Sequence, residues 1–178
     1  DPSQTKELSY TVEYYKDGIK VDSDTEVEKT TVQVLESDVI EVNKDKINVT
    51  DKYVGYRLEK TEPEMIPDSV TSGDVIKVYY VIDDGNIKTL SYTVEYYKDG
   101  VLADTEVETK TVQILEPDIM TVNKATINIV DKYYGYKVVD GTVIPNTVTS
   151  GEVIRVDYVI DPSQTKELSY TVEYYKDG

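Results

Sequence analysis

The chain contains no cysteine, histidine, tryptophan or phenylalanine. Without cysteine there is no disulfide scaffold, thiol nucleophile or thiolate metal ligand, and without histidine no imidazole acid–base chemistry and no Cys/His zinc site. Positive charge is also scarce. Nineteen Lys and Arg against 35 Asp and Glu leave a formal charge of -16, a field that repels nucleic-acid phosphates and anionic lipid surfaces. Neither nucleic acid nor membrane insertion is therefore expected. No apolar run approaches the roughly 18 residues of a membrane span. Asp1 is not preceded by a basic-then-apolar leader, so the chain reads as a mature segment of something longer.

What is present is repetition. With 39% hydrophobic residues and a large net charge, composition alone leans toward disorder, and only a pattern argues for a fold. Leu8 to Gly18 returns unchanged at Leu90 to Gly100 and at Leu168 to Gly178. Later landmarks keep step: Asp51-Lys52-Tyr53 with Asp131-Lys132-Tyr133, Gly55-Tyr56 with Gly135-Tyr136, and Val70-Thr71-Ser72-Gly73 with Val148-Thr149-Ser150-Gly151. Asp1 to Gly18 is identical to Asp161 to Gly178, linker included, so the higher-order period is 160 residues. A spacing near 80 residues is too long for a solenoid turn and suits small domains strung in tandem. The expected organisation is a linker over 1–7, repeat domains over 8–89 and 90–167, and the opening strand of a third repeat over 168–178. Two length differences, within Ile19 to Asp24 and between Tyr56 and Pro67, are expected at loop tips.

Within a repeat, Leu8, Tyr10, Val12 and Tyr14 alternate with Ser9, Thr11, Glu13 and Tyr15, the period of a strand with one buried face. Lys16-Asp17-Gly18 then signals a hairpin, and Thr105 to Leu115 reads as a longer second strand. Asn123 to Tyr134 reads as a short helix or irregular crossover, and Gly135 to Val139 as a strand. In the last strand Ile76, Val78, Tyr80 and Ile82 share one face, and Ile154, Val156, Tyr158 and Ile160 repeat it. The fold expected is mainly β, a β-grasp-like mixed sheet in each small domain, with an Ig-like β-sandwich as the alternative.

The opening Tyr10-Thr11-Val12-Glu13-Tyr14-Tyr15, the Gly-Tyr pairs at 55–56 and 135–136, and the closing Val78-Tyr79-Tyr80-Val81 and Val156-Asp157-Tyr158-Val159 resemble the MucBP-type (mucin-binding-protein) repeats of Gram-positive cell-surface adhesins. The resemblance covers both full repeats. It implies secretion, attachment to the cell wall, and tandem arrays that hold an adhesive tip away from the cell; some relatives are credited with binding mucin glycans. It carries no glycan-site motif onto named residues.

Three kinds of candidate site follow from the residues. Tyr15, Tyr79 and Tyr97 fall on the outward phase of their strands, where a ring stacks either on a sugar face or on a neighbouring repeat; covering the sheet's outer face is the plainer reading. The acidic groups Asp22-Ser23-Asp24, Asp83-Asp84-Gly85-Asn86 and Glu26 with Glu28 lack the spacing of an EF-hand loop and read as solvated charge, so no metal and no cofactor is expected. Lys77, and the pair Thr11 and Gln33, are the nearest approach to a covalent cross-link. Lys77 is replaced by Arg155 in the second repeat, and Thr11 lies on the outward phase. No enzymatic activity is expected, because a domain this small leaves little room for a cleft. The function expected is a structural stalk or spacer of an extracellular, wall-anchored adhesin or fibre; the alternative is a lectin-like module that binds host mucin or another glycoprotein. Leu168, Tyr170, Val172 and Tyr174 on one face of a third opening strand suggest head-to-tail contact with another copy.

Overall fold

A computed structural model describes residues 1–178. The chain divides into unit 1, Asp1–Lys88 with Val112–Glu116, and unit 2, Thr89–Thr111 with Pro117–Gly178. Unit 1 contains β1 (Thr5–Lys16), β2 (Ile19–Lys20), β3 (Glu26–Gln33), β4 (Val39–Glu41), β5 (Tyr56–Glu62), β6 (Ser69–Thr71) and β7 (Val75–Ile82). The second repeat contributes β8 (Ile87–Lys98), β9 (Val101–Gln113), β10 (Ile119–Thr121), β11 (Tyr136–Val138), β12 (Thr147–Thr149) and β13 (Val153–Ile160). There is no α-helix, only single 3₁₀ turns at Asp22–Asp24, Lys44–Lys46 and Lys124–Thr126.

The sheet of unit 1 runs β3-β1-β7-β5 with β2 beside the end of β1. β1 and β7 are parallel and central, with Val12 opposite Ile76 and Tyr14 opposite Val78; β3 is antiparallel to β1 and β5 antiparallel to β7. The second sheet repeats the order as β9-β8-β13-β11, again with a parallel central pair. A chain whose first and last strands lie side by side and parallel, flanked by antiparallel arms, has the β-grasp sheet order. The parallel central pair is foreign to an Ig-like sandwich, whose sheets are antiparallel.

The buried phase is the one the alternation marks. Leu8, Tyr10, Val12 and Tyr14 of β1 and Ile76, Val78 and Tyr80 of β7 are at most 2% exposed, and Ile40, Ile47 and Val70 close the core above them. Leu90, Tyr92, Val94 and Tyr96 with Ile154, Val156 and Tyr158 are the buried counterparts in unit 2, at most 6% exposed. Ile82 and Ile160 sit on this phase yet are exposed, because they lie at the strand ends, beyond the reach of the covering loop.

Each β1–β2 and β8–β9 connection is a two-residue turn with both residues at positive φ, Asp17 (49°) with Gly18 (79°) and Asp99 (46°) with Gly100 (81°). Such a turn matches the twist of the flanking strands, and Asp tolerates the left-handed region better than most side chains. The Thr-Ser-Gly landmark clasps the first strand: Ser9 N donates to Ser72 Oγ at 3.0 Å while Gly73 N donates to Ser9 O at 2.7 Å. Ser91, Ser150 and Gly151 repeat both bonds.

Several expectations need correction. β1 begins at Thr5, so Thr5 to Glu7 of the expected linker are strand, paired with Gln33 to Thr31. The extra pair of residues near Ile19 to Asp24 is no loop tip; it inserts a 3₁₀ turn into an arm that is continuous as β9 in the second repeat. The second length difference lies in a longer third strand, β5 against β11, and the loop after it. The antiparallel ribbons β4–β6 and β10–β12 were not expected at all. Residues 168–178 belong to no sheet of this chain.

Candidate functional site

On the outer face of unit 1, Tyr15 and Tyr79 stand opposite each other on the parallel pair. Their rings stack with centroids 4.7 Å apart and planes 20° from parallel. Lys77 Nζ lies 5.8 Å from the Tyr15 centroid and Lys60 Nζ 4.9 Å from that of Tyr79. The hydroxyls are engaged as well, Tyr79 donating to Glu62 Oε2 at 3.1 Å and Tyr15 to Glu13 Oε1 at 3.3 Å. The hydrogen bond from Lys20 holds the Glu13 carboxyl below its usual range. In unit 2, where Asp157 replaces the second tyrosine, Arg155 takes its place: the guanidinium carbon lies 3.7 Å from the Tyr97 centroid, its Nη2 is 2.9 Å from Asp157 Oδ1, and Tyr97 donates to Glu95 Oε2 at 2.6 Å. The Glu95 hydrogen bond raises the Tyr97 hydroxyl pKa. All three candidate residues are half-buried members of cross-strand ladders in which ring meets ring or cation. A sugar stacking on Tyr15 or Tyr79 would have to displace a neighbour.

The inner tyrosines have a second task that the sequence reading missed. The loop over the sheet, residues 43 to 55, has little regular structure, so its backbone N–H and C=O groups need partners from elsewhere. Tyrosine hydroxyls supply them. Tyr10 OH accepts from Asn43 N at 3.1 Å and Tyr14 OH from Asn48 N at 3.2 Å, while Tyr80 OH donates to Asn48 O at 2.9 Å. Tyr92 OH accepts from Asn123 N at 3.2 Å, and Tyr158 OH donates to Asn128 O. Tyr53 OH reaches Asp24 Oδ2 at 2.6 Å, and Tyr133 OH reaches Asp104 Oδ2 in the same way.

The repeated motifs complete this lock. Lys52 Nζ lies 4.1 Å from the Tyr14 centroid and Lys132 Nζ 4.1 Å from that of Tyr96. Tyr53 meets Tyr80 edge-on at 5.2 Å and 85°, and Tyr133 meets Tyr158 at 5.0 Å and 85°. Tyr56 and Tyr136 add a further edge contact to Tyr53 and Tyr133. Burial raises the hydroxyl pKa of Tyr14, Tyr80 and Tyr158. Burial, then the acidic partner, raises those of Tyr53 and Tyr133 and pushes Tyr96 to about 12. Of the residues that carry the resemblance, the inward Tyr10, Tyr14, Tyr80 and Tyr158 and the Tyr56 and Tyr136 of the Gly-Tyr pairs pack the loop to the sheet, while Tyr15 and Tyr79 belong to the outer face.

The remaining candidates are dispersed. Asp24 serves Tyr53, Asp22 faces Lys20, Glu28 pairs with Lys46 at 3.3 Å, and Asp83 Oδ1 accepts from Gly85 N at 3.0 Å. Thr11 stands opposite Val27 whereas Gln33 stands opposite Thr5, so the ester pair is not brought together. Lys77 lies in a central strand, directed at the Tyr15 ring. A groove of about 340 Å³ lined by Tyr10, Glu28, Val32, Ile40 and Asn43 includes neither Tyr15 nor Tyr79. Leu168, Tyr170, Val172 and Tyr174 are exposed.

No family model matches the chain, and no curated protein matches it. Solved structures do. This chain is similar to repeats of mucus-binding and cell-surface proteins. They include the crystal structure of Mub-RV, at 16% identity and a TM-score of 0.28 over 87% of this chain and 100% of that one. The type 2 repeat of the mucus binding protein MUB from Lactobacillus reuteri matches at 14% identity and a TM-score of 0.28 over 86% and 100%. Domains 3-4 of the Streptococcal High Identity Repeats in Tandem (SHIRT) of a cell surface protein match at 11% identity and a TM-score of 0.36 over 87% and 99%. Likeness at this level carries no functional argument, which has to come from the sheets themselves.

Proposed function

We propose that the chain is a stalk segment of an extracellular, wall-anchored surface adhesin or fibre, a tandem of small domains that transmits tension and has no chemistry of its own. The observation that carries this reading is the parallel central pair. Tension enters a repeat at the start of β1 and leaves at the end of β7. The register from Thr11 opposite Val75 to Lys16 opposite Tyr80 places those two points at opposite ends of the pair. Load then shears the ladder, so its hydrogen bonds resist together. β8 and β13 have the same geometry from Thr93 opposite Val153 to Lys98 opposite Tyr158. The outward tyrosines support the stalk over the lectin-like reading, since their rings already stack on one another or on cations. Binding to mucus, as in the name of one similar protein, would need those contacts to open if it used these rings.

Single-molecule pulling tests the proposal. Thr5 to Ile82 at ~3.6 Å per extended residue, less the ~40 Å already spanned by the folded strands, gives a length gain of about 24 nm per repeat. The expected trace is a sawtooth with one peak of about this step for each repeat. Smooth extension without peaks would sink the stalk reading. Glycan or mucin binding that is lost in Tyr15→Ala with Tyr97→Ala would favour the lectin-like alternative.

A further inference from the structure

We infer that Tyr15 and Tyr79 form a latent oxidative cross-link: a one-electron oxidant joins the two rings by a carbon–carbon bond ortho to their hydroxyls, and the bond ties β1 to β7. The chemistry goes beyond the stalk reading and does not rest on it. The two residues are direct partners in the parallel register, and their rings stack at 4.7 Å with planes 20° apart. Each phenolic hydroxyl already donates to a carboxylate, Tyr15 to Glu13 and Tyr79 to Glu62. Both residues are half-buried on the outer face, within reach of an oxidant in solution.

The other tyrosine contacts lack this combination. Those of Tyr53 with Tyr56 and Tyr80, and of Tyr133 with Tyr136 and Tyr158, are edge-on, with planes 72 to 85° apart. Tyr96 meets Tyr158 at 41° with both side chains fully buried. An edge-on ring brings its ortho carbon onto that of its neighbour only by leaving its packing. Unit 2 lacks the stacked pair, since Asp157 stands opposite Tyr97 and the ring is covered by Arg155.

Oxidation takes one electron from each ring. Lys77 Nζ and Lys60 Nζ lie 5.8 and 4.9 Å from the Tyr15 and Tyr79 centroids, and a cation beside a ring disfavours loss of an electron alone. The phenolic proton therefore leaves with the electron, to Glu13 and Glu62. The two neutral radicals pair their unpaired electrons as one bond between ortho carbons; each of those carbons then sheds its hydrogen as a proton while each oxygen regains one. The net loss is two electrons and two protons, which a peroxidase passes to hydrogen peroxide to give two waters. Rings held in contact meet at an effective concentration far above that of a second chain, so coupling within the pair outruns coupling between chains. The bond takes the stretch from Tyr15 to Tyr79 out of the extensible path, about 23 nm at ~3.6 Å per residue. Unit 1 becomes a fixed link while unit 2 still unfolds.

The test oxidises the full chain with a peroxidase and hydrogen peroxide at ~1 µM and ~100 µM protein, followed by dityrosine fluorescence and by mass spectrometry of the digest. The expected product is a 15–79 linked peptide, two hydrogens lighter than its parts, with the same yield per chain at both concentrations and at least ~10-fold more abundant than any other link within a unit. Tyr79→Phe keeps the ring and is expected to remove the link. Arg155→Lys with Asp157→Tyr copies the unit 1 arrangement into unit 2 and is expected to add a 97–157 link. Tyr134, 96% exposed, couples between chains in the concentrated sample and verifies that the oxidant acted. The inference is overturned if Tyr134 couples while no 15–79 link forms, if the 15–79 yield per chain rises with concentration, or if the unit 2 variant gains no link. In single-molecule pulling, linked chains are expected to lose the step of unit 1 and keep that of unit 2, and two full steps from linked chains would overturn the lock. Smooth extension before oxidation would count against the stalk reading alone, with the 15–79 link still decided by mass.

Discussion

Replacing Tyr14 by phenylalanine removes one oxygen from unit 1 and leaves the ring's packing unchanged. That oxygen is the acceptor for the backbone N–H of Asn48, and Tyr80 OH donates to the C=O of the same residue at 2.9 Å. Leaving a buried backbone group without its partner costs ~1–3 kcal/mol. Asn48 is half-buried, so water recovers part of the loss, and the expected cost is ~1 kcal/mol for Tyr14→Phe and the same for Tyr80→Phe. For a domain of this size that lowers the melting temperature by about 4–8 °C. The series is graded by exposure. Asn43, the partner of Tyr10, and Asn128, the partner of Tyr158, are exposed, so Tyr10→Phe and Tyr158→Phe should each cost less than Tyr80→Phe. The hydroxyl of Tyr56 holds no loop group, and Tyr56→Phe serves as the control. The double variant Tyr14→Phe with Tyr80→Phe should depart from additivity, because both hydroxyls fasten one residue. Differential scanning calorimetry of the full chain reads all of these. If Tyr14→Phe and Tyr80→Phe lose no more than Tyr56→Phe, the hydroxyls do not hold the loop and the reasoning is refuted.

Three further outcomes are expected. Gly55→Ala should destabilise unit 1 more than Gly135→Ala destabilises unit 2, since both glycines have positive φ but only at Gly55 would a Cβ lie 2.6 Å from Leu115 Cγ; equal losses in calorimetry would contradict this. Thr25→Val should be neutral or stabilising by up to ~1 kcal/mol, because Thr25 Oγ1 is buried without a partner, and a clear loss of stability would reveal a partner for it. Stability should be flat between about pH 6 and 8 and fall above about pH 10. The hydroxyls of Tyr14, Tyr53, Tyr80, Tyr96, Tyr133 and Tyr158 have raised folded-state pKa values, so the unfolded chain gives up its protons first and the stabilisation is lost as pH climbs through those values. The lowered carboxyls of Glu13 and Asp68 act only at the acid end, stabilising above the ordinary carboxylate range and losing that effect as pH falls below it. A melting temperature that drops between pH 6 and 8, or holds steady past pH 11, would count against this.

Much of the fold is legible in the residues because alternation with period two is a local signal. Leu8 to Tyr14 and Ile76 to Tyr80 announce their buried face, and Asp17-Gly18 announces its turn, without reference to anything distant. The ribbon pairing Val39–Glu41 with Ser69–Thr71 is hidden because three residues are too short for a period to register, and their partner is distant in sequence. The insertion at Asp22–Asp24 reads as a loop tip because length comparison shows where residues are added and not that the strand resumes. The role of the inner tyrosines left one trace, the complete absence of phenylalanine from a protein with 17 tyrosines. A core that needed only rings would include Phe; one whose covering loop lacks its own hydrogen bonds needs hydroxyls. Of the candidate site, the outward phase of Tyr15, Tyr79 and Tyr97 was readable. The stacking of Tyr15 on Tyr79, and of Arg155 on Tyr97, was not, because it depends on the parallel register between the first and last strands.

That register also sets the most direct test of the stalk reading, a comparison of two pulling directions on the same repeat. Handles at the start of β1 and the end of β7 load the parallel pair in shear. Handles introduced by Ile19→Cys and Asp84→Cys sit near one common end of the pair, beside Lys16 and Ile82, and open its bonds one after another. The stalk reading predicts a several-fold higher unfolding force in the first direction than in the second. Equal forces in the two directions would show that the parallel pair bears no load and would contradict it.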